Sequence, residues 1–251
     1  MEPLLAARRE TPMRNHTPPF STNPFFSMPL LSSNSAQRRV CALFFTAVCL
    51  AFCGSAVADE GWKQSSKSGD LTIYERTRPG SDLREYKAVG PIAAPPAAVK
   101  AVLDDVEAYP SFMPYVKEAR VISRDAAQRV SYQRIAPPLV SERDYTIRVR
   151  TETRAGKDGA STFINRWTPA NDLGPAEKKG VTRVKNTEGS WMLEPSDGGR
   201  GTVATYCVFT DSGGGLPVFI ANAAGKTAIP KLFEAIRKQV RLPKYQQRTG
   251  G

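Results

Sequence analysis

Arg143 and Tyr145 stand two residues apart in the stretch 136–150, APPLVSERDYTIRVR. Tyr145, Ile147 and Val149 alternate with Thr146, Arg148 and Arg150, the period of a strand with one apolar and one polar face. Counting back by two places Arg143 at the head of the apolar row. A guanidinium offers five donors in a planar fork suited to carboxylates, phosphates and hydroxyls. Buried without a partner, it would be strongly destabilising. Three partners fit: a carboxylate such as Glu188, water at the strand end, or the polar group of a bound molecule.

Other residues could line a binding site with it. Trp167 and Trp191 fall on neighbouring candidate strands, where each offers a large apolar face with one N–H donor, or simply core volume. Tyr206 lies in the strand-like GTVATYCVFT. Near the C-terminus, residues 221–225 (ANAAG) are all small and include Asn222 and Ala224. A helix packed tightly on a sheet uses larger side chains, so this run leaves space, with Asn222 able to hydrogen-bond into it. Phe112, Met113, Phe209 and Phe219 read as core.

Much chemistry is excluded. The one histidine is His16, and the first 58 residues read as a leader. Residues 1–37 are rich in Pro, Ser and Asn, with Met28 a plausible true start. Arg38 and Arg39 then precede an uncharged run, 40–58, that closes in Ala56-Val57-Ala58, the small-x-small pattern of a secretory cleavage site. A membrane anchor is the alternative for that run. Removal of 1–58 takes away His16, Cys41, Cys49 and Cys53. The remaining chain has no imidazole for a Ser-His-Asp triad, a metal or general-base work. Cys207 is left as a single thiol, read as a small buried hydrophobe. No acidic cluster suggests a metal, and no cofactor motif is present. The chain carries a net charge of +11, with scattered Lys and Arg and no nucleic-acid motif, so attraction to an anionic membrane surface fits better than DNA or RNA. Export implies a periplasmic or secreted protein.

The elements that must position these residues follow from periodicity and turns. Strands are expected at 70–77 and 83–92, and a helix from Pro96 carrying Val99, Val102, Leu103 and Val106, ended by Pro110. Strands follow at 118–125, 128–136, the opening stretch, 161–169, 181–195 and 201–210, the last two joined by the hairpin signal SDGGRG. A C-terminal helix carries the stripe Ile229, Leu232, Phe233, Ile236 and Val240, kinked or split at Pro230. Consecutive strands with hairpin turns predict an antiparallel α+β fold. One helix cannot cover such a curved sheet completely, so an apolar hollow is expected between them.

In order and spacing, PPLVSERDYTIRVR, the EGSW at 188–191 and DSGGGLPVFIANAAGKTAIPKLFEAIRK at 211–238 resemble a START-type lipid-binding domain. That is the helix-grip superfamily that also holds polyketide cyclases and coenzyme Q-binding proteins. The resemblance implies a curved antiparallel sheet wrapped around a long C-terminal helix, at 59–243, with 244–251 as a tail. It implies a monomer holding one lipid, a sterol or phospholipid, for transport or sensing, without cofactor or chemistry. It also implies a gate at 169–180. The ligand-binding set is then Arg143, Tyr145, Trp167, Trp191, Tyr206, Asn222 and Ala224. The alternative on the same fold is a cyclase or aromatase in which Arg143, Tyr145 or Tyr206 orients an enolate.

Overall fold

A computed structural model describes residues 61–156 and 159–246. The expected leader and its cleavage site lie outside the described residues. The first strands are β1 (Lys63–Ser68), β2 (Leu71–Thr77) and β3 (Arg84–Ile92), followed by α1 (Pro96–Asp104). A 3-10 turn (Val106–Ala108) leads into the short α2 (Tyr109–Phe112). Next come β4 (Val116–Arg124), β5 (Gln128–Ile135), β6 (Arg143–Ala155), β7 (Ser161–Pro169), β8 (Thr182–Arg183), β9 (Asn186–Ser196) and β10 (Gly201–Asp211). The chain closes with α3 (Val218–Gln239) and α4 (Pro243–Gln246).

The strands form one sheet in the order β1-β2-β3-β10-β9-β7-β6-β5-β4, with β8 paired to β6. The strand pairs are antiparallel except β6–β8. This is the expected α+β helix-grip architecture, with more strands than the pattern suggested. β1 has no apolar face in its KQSSKS sequence and left no periodic signal. The expected strand at 181–195 is two elements, because β8 continues the sheet where β7 has stopped opposite Ile147.

Three further differences have local causes. Pro110 does not end α1; it sits in the first turn of α2, where its missing N–H has no intrahelical partner to lose. The C-terminal helix is not split: α3 runs through Pro230 as one element. The chain also does not leave the domain at Pro243. In α4, Tyr245 is buried and its hydroxyl donates to Asp105 Oδ2 at 2.8 Å.

The core lies on the inner face of β2, β3, β9 and β10, covered by α1 and the second half of α3. Ile73, Ala88, Leu193 and Ala204 meet Val99 and Val102 of α1 and Phe233 and Ile236 of α3, all close to fully buried. The packing is continuous there. It opens towards β5, β6 and β7, where no helix covers the sheet completely.

Candidate functional site

That opening is a cavity of about 330 Å³ bounded by the inner face of the sheet, by α1 and α2, and by α3. The inward row of β6 is Arg143, Tyr145, Ile147 and Val149, and all four line it. Antiparallel register sets Ile135, Gln133, Ser131 and Arg129 of β5 opposite them in the same order. Arg129 and Arg143 therefore mark the two ends of the cavity. Their registers are six residues apart, about 20 Å at ~3.3 Å per residue. The Arg129 end is closed, with Leu103, Val106, Tyr109 and Arg129 all buried. The Arg143 end is the mouth, where Tyr115, Ile135, Thr210, Ser212 and Leu232 are only half-buried.

The middle is aromatic. Tyr206 of β10 and Trp191 of β9 are directly paired across the sheet, with ring centroids 4.5 Å apart. Trp167 of β7 stacks on the same Tyr206 at 5.8 Å. Its reach depends on Gly189, where a Cβ would collide with the Trp167 ring. Trp191 also touches Phe233 of α3 at 5.3 Å, so the cavity wall and the core share a residue.

Arg143 is 4% exposed. Its Nη1 donates to Ser141 O at 2.6 Å and its Nε to Ser212 O at 3.3 Å. Glu188, one of the candidate partners, is held by Arg78 instead, on the outer face of the sheet. The other nearby carboxylates are also engaged: Glu142 by Arg134 at 2.5 Å, and Asp144 by Arg183 at 2.7 Å. No ion pair reaches Arg143 among the described residues, and burial holds its pKa below the usual guanidinium range. Arg129, at the closed end, is different. It pairs with Asp104 and donates from Nη2 to Leu103 O at 2.9 Å, while its Nε is buried without a partner.

Five of the seven expected ligand-binding residues line the cavity: Arg143, Tyr145, Trp167, Trp191 and Tyr206. Asn222 and Ala224 do not. Asn222 Oδ1 accepts from Arg84 N at 3.0 Å, and its carbonyl accepts from Tyr86 Oη at 2.8 Å, which ties α3 to β3. Ala224 faces solvent. The inward stripe of α3 is instead Gly225, Ala228, Ile229 and Leu232, one helical position away. Phe219 is not core but 73% exposed. Phe209 is buried on the outer face, beneath Arg78. Cys207 is half-buried on that outer face, and burial raises its thiol pKa.

The stretch 169–180, expected as a gate, packs on the outer face of β6 and not over the mouth. Asn171 Oδ1 accepts from Thr146 N at 2.8 Å, and Arg183 clamps Asp144 while also donating to Pro175 O at 3.0 Å. Gly174 lies against Thr146 so closely that any side chain would collide with its hydroxyl. Thr146 and Asp144 belong to the polar face of the strand, and this loop buries them.

Arg129, Ser131, Gln133 and Asn165 line the cavity without having been expected. For the three on β5 the signal was present as polar alternation in QRVSYQRI, but the natural reading turns Val130 and Tyr132 inward. Tyr132 points outward, its hydroxyl 3.1 Å from Asp144 Oδ2 and its ring beneath Lys178.

No Asp, Glu or His among the described residues lines the cavity. The Tyr145 hydroxyl, which donates to Gln133 Oε1 at 3.2 Å, has its pKa pushed up to about 12 by burial. Burial raises Tyr109 and Tyr206 as well. None of these phenols takes or gives a proton readily near neutral pH.

The profile of the family described as "Polyketide cyclase / dehydrase and lipid transport" matches residues 92–237. An uncharacterized protein of Pseudomonas aeruginosa is 31% identical over 68% of this chain and 81% of its own. The phosphatidylcholine transfer protein of Rattus norvegicus is 28% identical over 77% of this chain and 90% of its own. Among solved structures, a STAR-related lipid transfer protein from Xanthomonas axonopodis superposes with a TM-score of 0.65 and 25% identity, covering 72% of this chain and 99% of that one. Human StAR-related lipid transfer protein 5 shares the fold, with a TM-score of 0.61 and 20% identity over 73% of this chain and 88% of that one.

Proposed function

Since the chain belongs to the polyketide cyclase/dehydrase and lipid transport family, we propose that it binds a single lipid in its cavity and carries it between membranes. The observation that carries this reading is the cavity itself: an aromatic and aliphatic chamber, closed at one end, with a few polar groups and no group poised for acid–base chemistry. Burial of ~300 Å² of alkyl surface contributes on the order of 7 kcal/mol before binding costs, enough to retain a lipid without a cofactor. Similarity to proteins named for lipid transfer supports the same reading.

The mouth end also has the apolar surface that contact with a bilayer requires. Leu139 is fully exposed at the tip of the β5–β6 loop, and Val218, Phe219 and Ile220 are exposed on the first turn of α3. Arg143 bonds to Ser141 in that loop and to Ser212, which begins the segment leading into α3. A lipid leaving by the mouth would pass directly into the surface these tips touch. With the positive charge of the chain, they favour an anionic membrane.

Export completes the reading: the protein works as a monomer in the periplasm or outside the cell after cleavage behind Ala58. N-terminal sequencing of exported protein should begin at Asp59, and a chain that retains 40–50 would contradict it. The function is tested by transfer of a pyrene-labelled phospholipid from donor vesicles of phosphatidylglycerol and phosphatidylcholine to unlabelled acceptors. The protein should accelerate transfer in proportion to its concentration. A rate no higher than that of buffer, for labelled phospholipid, sterol and fatty acid alike, would sink the proposal.

A further inference from the structure

The cavity wall is electrically one-sided. Among the described residues it holds two arginines and no aspartate or glutamate. Arg129 is offset by Asp104, but Arg143 has no carboxylate among the described residues, since Glu142, Asp144 and Glu188 are each taken by another arginine. Its two hydrogen bonds go to carbonyl oxygens, which orient the fork without neutralising it. A cation with 4% exposure and no counter-ion is costly to hold in the empty protein. Lys231, another cation near the mouth, donates to the Tyr115 hydroxyl at 2.9 Å and brings no negative charge either.

Resting on the reading that the cavity holds a lipid, the geometry points to a ligand with an anionic head, a carboxylate or a phosphate, whose charge sits on Arg143 at the mouth. Its tail lies along Tyr145, Ile147, Trp167 and Trp191. A zwitterionic head would bring a cation beside Arg143, where the aromatic faces and not a carboxylate would have to receive it.

A matched series tests this with the full chain: dodecanoate, dodecyl phosphate, dodecanol and dodecylphosphocholine, titrated against intrinsic tryptophan fluorescence. At least one of the two anions should bind about tenfold or more tighter than dodecanol, the usual scale for a charged hydrogen bond. Whichever anion does so identifies the head as carboxylate or phosphate. The preference should survive about 0.5 M salt, which screens attraction to the basic surface but not a buried pair. In Arg143→Gln, the ratio of anion to dodecanol affinity should fall towards one, and a ratio taken within one protein is insensitive to partial unfolding. If the variant does not fold, the wild-type ratio decides. Dodecanol or dodecylphosphocholine binding as tightly as the anions would overturn the anionic head while leaving a lipid cavity standing. Failure of all four, together with phosphatidylcholine vesicles, would overturn the lipid-binding reading itself.

Discussion

The two halves of α3 share one helix and do opposite things. From Ile229 onward it behaves as core: Ile229, Phe233, Ile236 and Val240 are buried against α1 and the inner sheet. Before Ile229 it is a cover with little hold. Val218, Phe219 and Ile220 face solvent, and small residues face the cavity. A few side chains attach this half: Asn222 to β3, and Lys226 to Glu75 at 3.0 Å. Pro230 marks the boundary and removes the backbone bond that would have tied it to the Lys226 carbonyl. Stability and ligand access are thus assigned to different ends of one element, and a substitution shows which by its position.

The largest effect should come from the buried half. Phe233→Ala removes a ring with no exposure that contacts Trp191, and should cost about 3–5 kcal/mol in denaturant unfolding. A loss below about 1 kcal/mol would mean that this half is not core. Next, Ala228→Phe should fill the cavity, cutting lipid affinity at least about tenfold while the melting temperature moves little. Ala224→Phe, four residues earlier and facing solvent, is its control and should change neither. Equal effects at both positions would erase the assigned face. The smallest effect on stability belongs to Phe219→Asp, expected within about 0.5 kcal/mol of wild type. The same variant should lose binding to phosphatidylglycerol vesicles in a flotation assay. Unchanged flotation would remove the first turn of α3 from the membrane contact.

The contrast also shows what a sequence conveys. The stripe Ile229, Phe233, Ile236, Val240 is legible because a buried helix face repeats at fixed spacing and has one purpose. The row Arg143, Tyr145, Ile147, Val149 is equally legible, since a strand face needs only a count by two. Residues 221–225 signalled space but not direction: in a helix one position is a rotation of about 100°, so Ala224 and Gly225 face different surroundings. The β5 strand misleads for a physical reason. Hydrophobic residues normally point towards the helix side, but here the loop after β7 buries the outer face over Tyr132, and the cavity leaves the inner face free to be polar. Nothing within eight residues reveals a loop that folds back from forty residues on. Glu188, one of the three candidate partners of Arg143, drops out on similar grounds: it lies on the opposite face, and the Arg78 that takes it comes from a distant turn.

Native mass spectrometry of the full chain, purified from its own host without detergent, tests the central claim most directly. The account predicts one bound amphiphile per chain in the wild type and an empty Ala228→Phe variant of the same fold. A wild type that is uniformly empty, or an Ala228→Phe variant that carries the same lipid in the same proportion, would contradict it.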